Sequence, residues 1–308
     1  MIICVGESLI DFVPQNAPGE TPLYRPVPGG SPMNCAVAAA RLGAKARFAG
    51  TISTDFFGDQ ILAHLEANGV DCTATTRVPN PTTLAFVKKA PDGSARYAFY
   101  TEGSADRALT PDHLAGELPA GALLQIGSIS LIGDPESQTI LQAVAAAKDE
   151  HIVIFDPNIR PTLIDNEPDY RVRVGRAIES SAIVKTSDED LTWMFPNTTE
   201  EQAVGKLLAA GVHLVVVTRG AQGSSAISVE GRVDLPATEV QVSDTIGAGD
   251  SYMAALLVWL DEHAIIAREQ LAELTQEQRR LMLEFAGRVS AVTCSRVGAD
   301  PPRRDEVE

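Results

Sequence analysis

Short apolar runs recur along this chain at 2–5, 46–50, 123–126, 152–155, 182–185 and 214–218, with longer helical patterns between them. Strands that alternate with helices favour an α/β fold, a mostly parallel sheet covered by helices on both faces. Each run but the second ends in a polar or glycine-rich cluster: GES, GSIS, DPNIR, TSDED and TRGAQG. In open α/β sheets ligands bind outside the carboxyl ends of the strands. Five such clusters therefore predict one shared site. At 308 residues the chain is long enough for one large domain, and a single unit spanning 1–308 is expected.

Two segments break this rhythm before the middle of the chain. Residues 14–28 are rich in Pro and Gly and precede a helix that begins SPMNCAVAAARLG, with Ser31 read as its N-cap, Pro32 in the first turn and Gly43 as its stop. The runs TLAFVKK (83–89) and ARYAFYT (95–101) flank Pro91-Asp-Gly-Ser, the signature of a β-hairpin. A hairpin fits poorly inside a parallel sheet. It is expected to form, with part of the earlier segment, a small β-sheet lid built from about 10–28 and 83–103. An exposed lid edge invites pairing, so a homodimer is one expectation.

The net charge of −16 argues against nucleic acid or an anionic membrane as a partner, and means that any anionic ligand must be held by a local device. The four cysteines, at 4, 35, 72 and 294, form no CxxC pair, which suits reduced thiols in a cytoplasmic protein. The opening MIICVGESLIDF reads as a strand with no basic leader. No apolar run approaches the roughly 20 residues of a membrane span. The five histidines have no metal-ligand spacing.

The most informative stretch is DTIGAGD, 244–250, which runs directly into SYMAALLVWL. Glycines let successive backbone N–H groups turn toward one point, and a helix N-terminus adds partial positive charge. Gly247, Ala248 and Gly249 thus read as a cradle for a phosphate. A carboxylate repels phosphate, so Asp250 makes sense beside it as a base for an attacking hydroxyl. The competing reading is a tight turn with Asp250 capping the helix. A dinucleotide fingerprint would need glycine at 252, where Tyr252 stands, and no GxxxxGK[ST] loop occurs.

DTIGAGD and, upstream, PGGSPMNCAVAAARLG resemble the two signatures of the ribokinase-like carbohydrate kinases, the phosphofructokinase B family. GESLIDF, TDFFGDQILAHLEANGVD, DPNIR, VKTSDEDL, VVTRGAQGS and the C-terminal CSRVGADPPRRDEV follow in family order, over essentially the whole chain. GESLIDF, SARYAFYTEGSAD, DPNIRP and VKTSDEDL look most like the bacterial fructokinases of that family.

The resemblance implies a set of roles. Asp250 would be the catalytic base, and the backbone N–H groups of Gly247, Ala248 and Gly249 the anion hole. Asp11, Gly29, Gly30 and Asn34 would bind sugar hydroxyls, with Asn158 and Arg160 facing the sugar and γ-phosphate region and Phe99 and Tyr100 covering the sugar from the lid. Lys185, Ser187, Thr218, Arg219, Gly220 and Gly223 would build the ATP side, with 287–290 closing over adenine. Asp190 or Glu189, with Asp188 as a third candidate, would organise hydrated Mg²⁺. Many members have Asn-x-x-Glu here, whereas this chain has Ser187 and Asp190. Asp244, with carbonyls around 294–298, would hold a monovalent cation, usually potassium. The expected activity is transfer of the γ-phosphate of ATP to a hydroxyl of a small sugar, D-fructose to fructose 6-phosphate. A 2-keto-3-deoxygluconate kinase and a non-catalytic sugar- or nucleotide-binding protein of the same fold are the alternatives.

Overall fold

The computed structural model describes residues 1–15, 23–89 and 95–308, and of residues 88, 89 and 95–97 only the backbone. The hairpin turn at 91–94 and the stretch 16–22 of the expected lid lie outside the described residues. The strands are β1 (Ile2–Val5), β2 (Leu9–Pro14), β3 (Tyr24–Gly29), β4 (Ala46–Ser53), β5 (Thr75–Val78), β6 (Thr83–Lys89) and β7 (Ala95–Tyr100). They continue with β8 (Leu123–Gly127), β9 (Ile152–Asp156), β10 (Ile183–Ser187), β11 (Leu214–Thr218), β12 (Ser224–Ser228) and β13 (Gly231–Leu235). The helices are α1 (Ser31–Arg41), α2 (Phe56–Ala67), α3 (Pro111–Leu114), α4 (Glu136–Ala147) and α5 (Glu167–Ser180). After them come α6 (Asp188–Met194), α7 (Glu200–Ala209), α8 (Ala248–Glu262), α9 (Arg268–Ala272) and α10 (Gln276–Cys294).

Among the described residues the strands form two sheets. The larger has nine strands in the order β13-β12-β11-β10-β9-β8-β1-β4-β5. It is parallel from β11 to β5, and β12 and β13 add an antiparallel edge. Side chains alternate across it, so Ile2 and Cys4 join the core under α1, α8 and α10, while Ile3 and Val5 join the one under α4, α5 and α7. Burial on both faces explains why these strands read as continuous apolar runs rather than alternating ones.

The order reverses at β1, whose neighbours are β4 and β8. Such a switch point opens a crevice at the carboxyl ends of the strands. Glu7 follows β1 and Ser128 follows β8, and both line the same cavity of about 620 Å³. The smaller, mixed sheet has the order β3-β2-β6-β7, with β2 and β6 parallel. It contributes Leu9, Asp11, Val87 and Phe99 to that cavity.

Two helix starts differ from expectation in a way that matters. The residue capping α1 is Gly30, not Ser31; Ser31 is the first helical residue and its hydroxyl goes elsewhere. In α6, Ser187 is the cap and accepts from Asp190 N. No helix among the described residues is long and apolar enough to cross a membrane, and all four cysteines are free thiols.

Candidate functional site

The start of α8 sets the chemistry. Gly247 caps it in the left-handed region at φ 75°, where a Cβ would also lie 2.7 Å from Ala299 Cβ. Glycine is therefore required there on two counts. The first N–H groups of a helix have no partner within it. Among the described residues those of Gly247, Gly249 and Asp250 have no hydrogen-bond acceptor, whereas Ala248 N donates to Thr245 O at 3.2 Å. The cradle expected from Gly247, Ala248 and Gly249 thus finds its free N–H groups at Gly247, Gly249 and Asp250 instead, because the turn entering the helix uses the Ala248 donor.

Asp250 is 9% exposed, and both its oxygens are held. Ser31 Oγ donates to Oδ1 at 2.6 Å and Asn34 Nδ2 to Oδ2 at 2.9 Å. Both donors come from the first turn of α1, which packs on α8. The two motifs lie more than 200 residues apart in sequence and meet at one carboxylate. Asn34, expected as a sugar ligand, thus also holds Asp250.

Asp11 enters the cavity from β2. A Cβ on Gly29 would stand 2.2 Å from Asp11 Oδ2, so that glycine clears the space for the carboxyl group; Gly30, not Gly29, lines the cavity itself. Asn158 and Arg160 line it from the loop after β9, and Arg160 Nη1 donates to the carbonyls of Asn158 and Ile159 at 3.2 and 3.1 Å. Phe99 and Tyr100 part company. Neighbouring residues of a strand point to opposite faces, so Phe99 lines the cavity while Tyr100 is 65% exposed and packs edge-on to Phe86 on the outer face of the smaller sheet. Tyr100 does not line this cavity.

Beneath the cradle lies a buried ion pair. Lys185 Nζ donates to Asp156 Oδ2 at 2.7 Å, with the residues 5% and 2% exposed, and a Cβ on Gly249 would stand 3.1 Å from that nitrogen. Lys185 is thus a buried partner of Asp156. Ser187, Thr218, Gly220 and Gly223 lie at the ends of β10 and β11, outside the cavity lining. Arg219, expected to reach a phosphate, is bonded through Nε and Nη2 to Glu200 and through Nη1 to Ser225. Its charge is taken up by a structural cluster that also holds Arg232. In the last helix, Ser290 Oγ donates to Ala248 O at 3.1 Å, tying 287–290 to the start of α8.

Of the acidic candidates for metal, Glu189 is exposed and lines the cavity, Asp188 faces solvent, and Asp190 Oδ1 accepts from Ile159 N at 3.1 Å. No group of three or more metal-ligating side chains occurs among the described residues. Asp244 Oδ1 accepts from Thr245 N and Ile246 N, and Oδ2 from Gly298 N, while the Cys294 carbonyl accepts from Ser243 N and Asp244 N. This carboxylate pins the loop before α8 to the C-terminal segment.

Several acids at this end of the sheet titrate high. Burial pushes Glu7 up to about 7, and burial with the neighbouring Asp250 charge pushes Asp11 to about 7 against the pull of Arg160. Burial raises Asp156 to about 6, opposed by Lys185, and holds Glu136, both of whose oxygens lack hydrogen-bond partners, well above the ordinary range. Each group binds its proton more tightly folded than unfolded. Its stabilising contribution is full below the unfolded value and is lost as pH rises through the folded one. Carboxylates held below their ordinary values, such as Glu200 and Asp234, act in more acid solution and do not cancel this. The expected result is a thermal midpoint that falls from about pH 5 to about pH 8. Glu136→Gln, which keeps the neutral shape, should flatten that fall when melting is followed across the range.

Ser31 and Glu7 were missed as site residues. Glu7 is 1% exposed and lines the cavity beside Ser31. The signal for Glu7 was its place in the polar cluster ending the first strand. Ser31 read as a cap had no sequence signal for contact with Asp250.

The whole chain has close relatives. A family model described as pfkB family carbohydrate kinase matches residues 1–306. A fructokinase of Rhizobium leguminosarum bv. trifolii is 36% identical over 280 residues, covering 91% of this chain and 86% of that protein. A solved fructokinase of Xylella fastidiosa with bound ATP matches with a TM-score of 0.90 at 28% identity, covering 99% of this chain and 96% of that one. The fructokinase of Vibrio cholerae O395 with bound fructose, ADP and calcium ion gives 0.86 at 27% identity, over 97% and 94% of the two chains. With both signature segments meeting at Asp250 and the family model covering nearly every residue, this chain belongs to the pfkB family of carbohydrate kinases.

Proposed function

We propose that this protein transfers the γ-phosphoryl group of ATP to a hydroxyl of D-fructose, forming fructose 6-phosphate and ADP. The observation that carries the reading is the meeting of a buried carboxylate with unpaired helix N–H groups on the wall of a polar cavity. The sugar oxygen attacks the γ-phosphorus, the bond to the β-phosphate oxygen breaks, and Asp250 takes the hydroxyl proton. The N–H groups of Gly247, Gly249 and Asp250 face the developing charge. Asp11, Gly30, Asn34 and Arg160 hold the sugar, and the smaller sheet acts as a lid over a single catalytic unit.

ATP lies along the ends of β10 and β11, near Ser187, Thr218, Gly220 and Gly223. Mg²⁺ fits this site as a largely hydrated ion. It keeps several waters and binds through one or two carboxylates and phosphate oxygens, and Glu189 supplies such a carboxylate with Asp190 behind it. The metal neutralises phosphate charge when bound. Potassium would be met by the remaining acceptor capacity of Asp244 Oδ2 and by the carbonyls of 295–297, which accept no backbone N–H among the described residues, whereas the Cys294 carbonyl is already taken by Ser243 N and Asp244 N. No step is assigned to it.

Arg160 favours a second reading, because a guanidinium in the sugar cavity also suits the carboxylate of 2-keto-3-deoxygluconate. ADP release by the purified protein with ATP and Mg²⁺ separates them. Turnover with fructose well above that with the sugar acid is expected, and the reverse order would move the assignment. Silence with both sugars would sink it. Arg160→Met should then weaken fructose binding by roughly tenfold, as expected for one charged hydrogen bond.

A further inference from the structure

Glu7 is a carboxyl group with no role in the reaction outlined above. It is 1% exposed, directly after β1, at the point where the strand order reverses. Glu7 Oε1 accepts from Ser31 N at 3.1 Å. Its other oxygen accepts from Ser130 Oγ, and Ser130 Oγ in turn accepts from Glu7 N at 2.8 Å. Ser31 is the first residue of α1, where backbone N–H groups have no helical partner, and Gly30 before it has no side chain to cap them. Glu7 caps that turn from a different element.

The chain of contacts does not stop there. Ser31 Oγ donates to Asp250 Oδ1 at 2.6 Å. A carboxylate used as a base needs one oxygen fixed and the other aimed at the incoming hydroxyl. Oδ1 is bound by Ser31, a residue whose backbone is itself held by Glu7. Oδ2 is bound by Asn34, which lines the cavity and is placed to exchange with sugar.

We infer that Glu7 and Ser31 are positioning residues for phosphoryl transfer: Glu7 anchors the backbone of Ser31, and the Ser31 hydroxyl fixes the reactive carboxylate of Asp250. This rests on Asp250 being the base. Neither residue touches the reacting atoms. Their effect is on how Asp250 Oδ2 meets the sugar hydroxyl, and so on kcat rather than on sugar binding.

The variants Ser31→Ala, Ser31→Thr, Glu7→Ala, Glu7→Gln, Glu7→Ala/Ser31→Ala and Asp250→Asn test it, with kcat and KM read from ADP release and folding from thermal melts. Ser31→Ala should lower kcat about tenfold and leave the fructose KM within about twofold, as a loosened base does. Ser31→Thr keeps the hydroxyl and should recover most of that loss. Glu7→Ala should lower kcat similarly, with Glu7→Gln, which keeps an acceptor for Ser31 N, recovering it.

The double variant decides the order of action. Residues acting in series are not additive, so it should be no slower than the worse single variant within about twofold. Losses that multiply, or that fall on KM alone, overturn the relay. If Glu7→Ala does not fold, Glu7→Gln with Ser31→Ala and Ser31→Thr still decides it, and Ser31→Ala turning over like the wild type overturns it outright.

A pH profile adds a readout that a structural role leaves unmoved. A donor to an ionised carboxylate favours the charged form, so Ser31→Ala should move the acid limb of kcat/KM to higher pH. The other titratable and charged groups around Asp250 are Cys35 on α1, Asp11 on β2, Asp156 at the end of β9 and Lys185 on β10, with Arg160, Glu189 and Asp244 on the same cavity wall. The serine substitution leaves all of them in place. Asp250→Asn separates the two possible failures. If it retains turnover, the base assignment fails and the relay with it. If it is inactive while the Glu7 and Ser31 losses multiply, only the relay fails.

Discussion

Asp250→Asn should fold, bind fructose with a KM within a few-fold of the parent, and turn over about 10²–10⁴-fold more slowly, the usual loss for a general base. The amide has nearly the shape of the carboxylate. Ser31 Oγ can still donate to its oxygen, whereas the contact with Asn34 Nδ2 becomes donor against donor unless one amide turns. That contact costs little beside the lost base. Single-turnover measurement of ADP formation, alongside steady-state kinetics, places the loss in the chemical step. A variant that kept near-normal turnover would remove Asp250 from the mechanism and return it to the role of a helix-start carboxylate.

Lys185→Met is the second large effect, and it lands on stability first. The Lys185–Asp156 pair is buried at both ends, with Lys185 on Oδ2 and no hydrogen-bond partner for Asp156 Oδ1. Removing the ammonium leaves a carboxylate that burial already pushes up, with the charges of Asp190 and Asp250 nearby. Breaking a buried pair from one side costs about 3–5 kcal/mol. For a chain of 308 residues that corresponds to a fall in thermal midpoint of about 5–8 °C.

Asp156→Asn/Lys185→Met should recover part of this, since no unpaired charge is then buried. Activity tells the rest. Lys185 Nζ sits against Gly249, so a cation under the cradle helps hold negative charge there. The double variant, refolded in stability, should still have a lower kcat. Full activity in the double variant would make the pair purely structural.

Much of the site was legible because glycine and aspartate at fixed spacing have few physical uses. DTIGAGD at a helix mouth located the buried carboxylate proposed as the base, and the apolar runs located the strand ends around it. Arg219 was not legible. A guanidinium on a turn reads as a phosphate ligand until the Glu200 carboxylate, 19 residues earlier, takes its donors. Tyr100 lies off the cavity for a simpler reason: Phe99 and Tyr100 are adjacent in a strand, and only one can face the cavity. The sequence pattern marks the strand but not which face is turned inward, because that depends on the pairing of β7 with β6. The antiparallel edge of β12 and β13 also escaped, since SSAIS and GRVDL are short and only weakly apolar.

The sequence by itself determined the α/β class, the family and the residue types of the reaction, since periodicity and local motifs act over short distances along the chain. Tertiary structure alone decided which donors hold Asp250, which helix N–H groups stay free and where the charge of Lys185 goes. Those outcomes depend on contacts such as Ser31 with Asp250 and Glu7 with Ser130, between residues 219 and 123 positions apart. Hydrogen bonds act only within about 3 Å, and only folding brings residues so far apart in sequence to that distance.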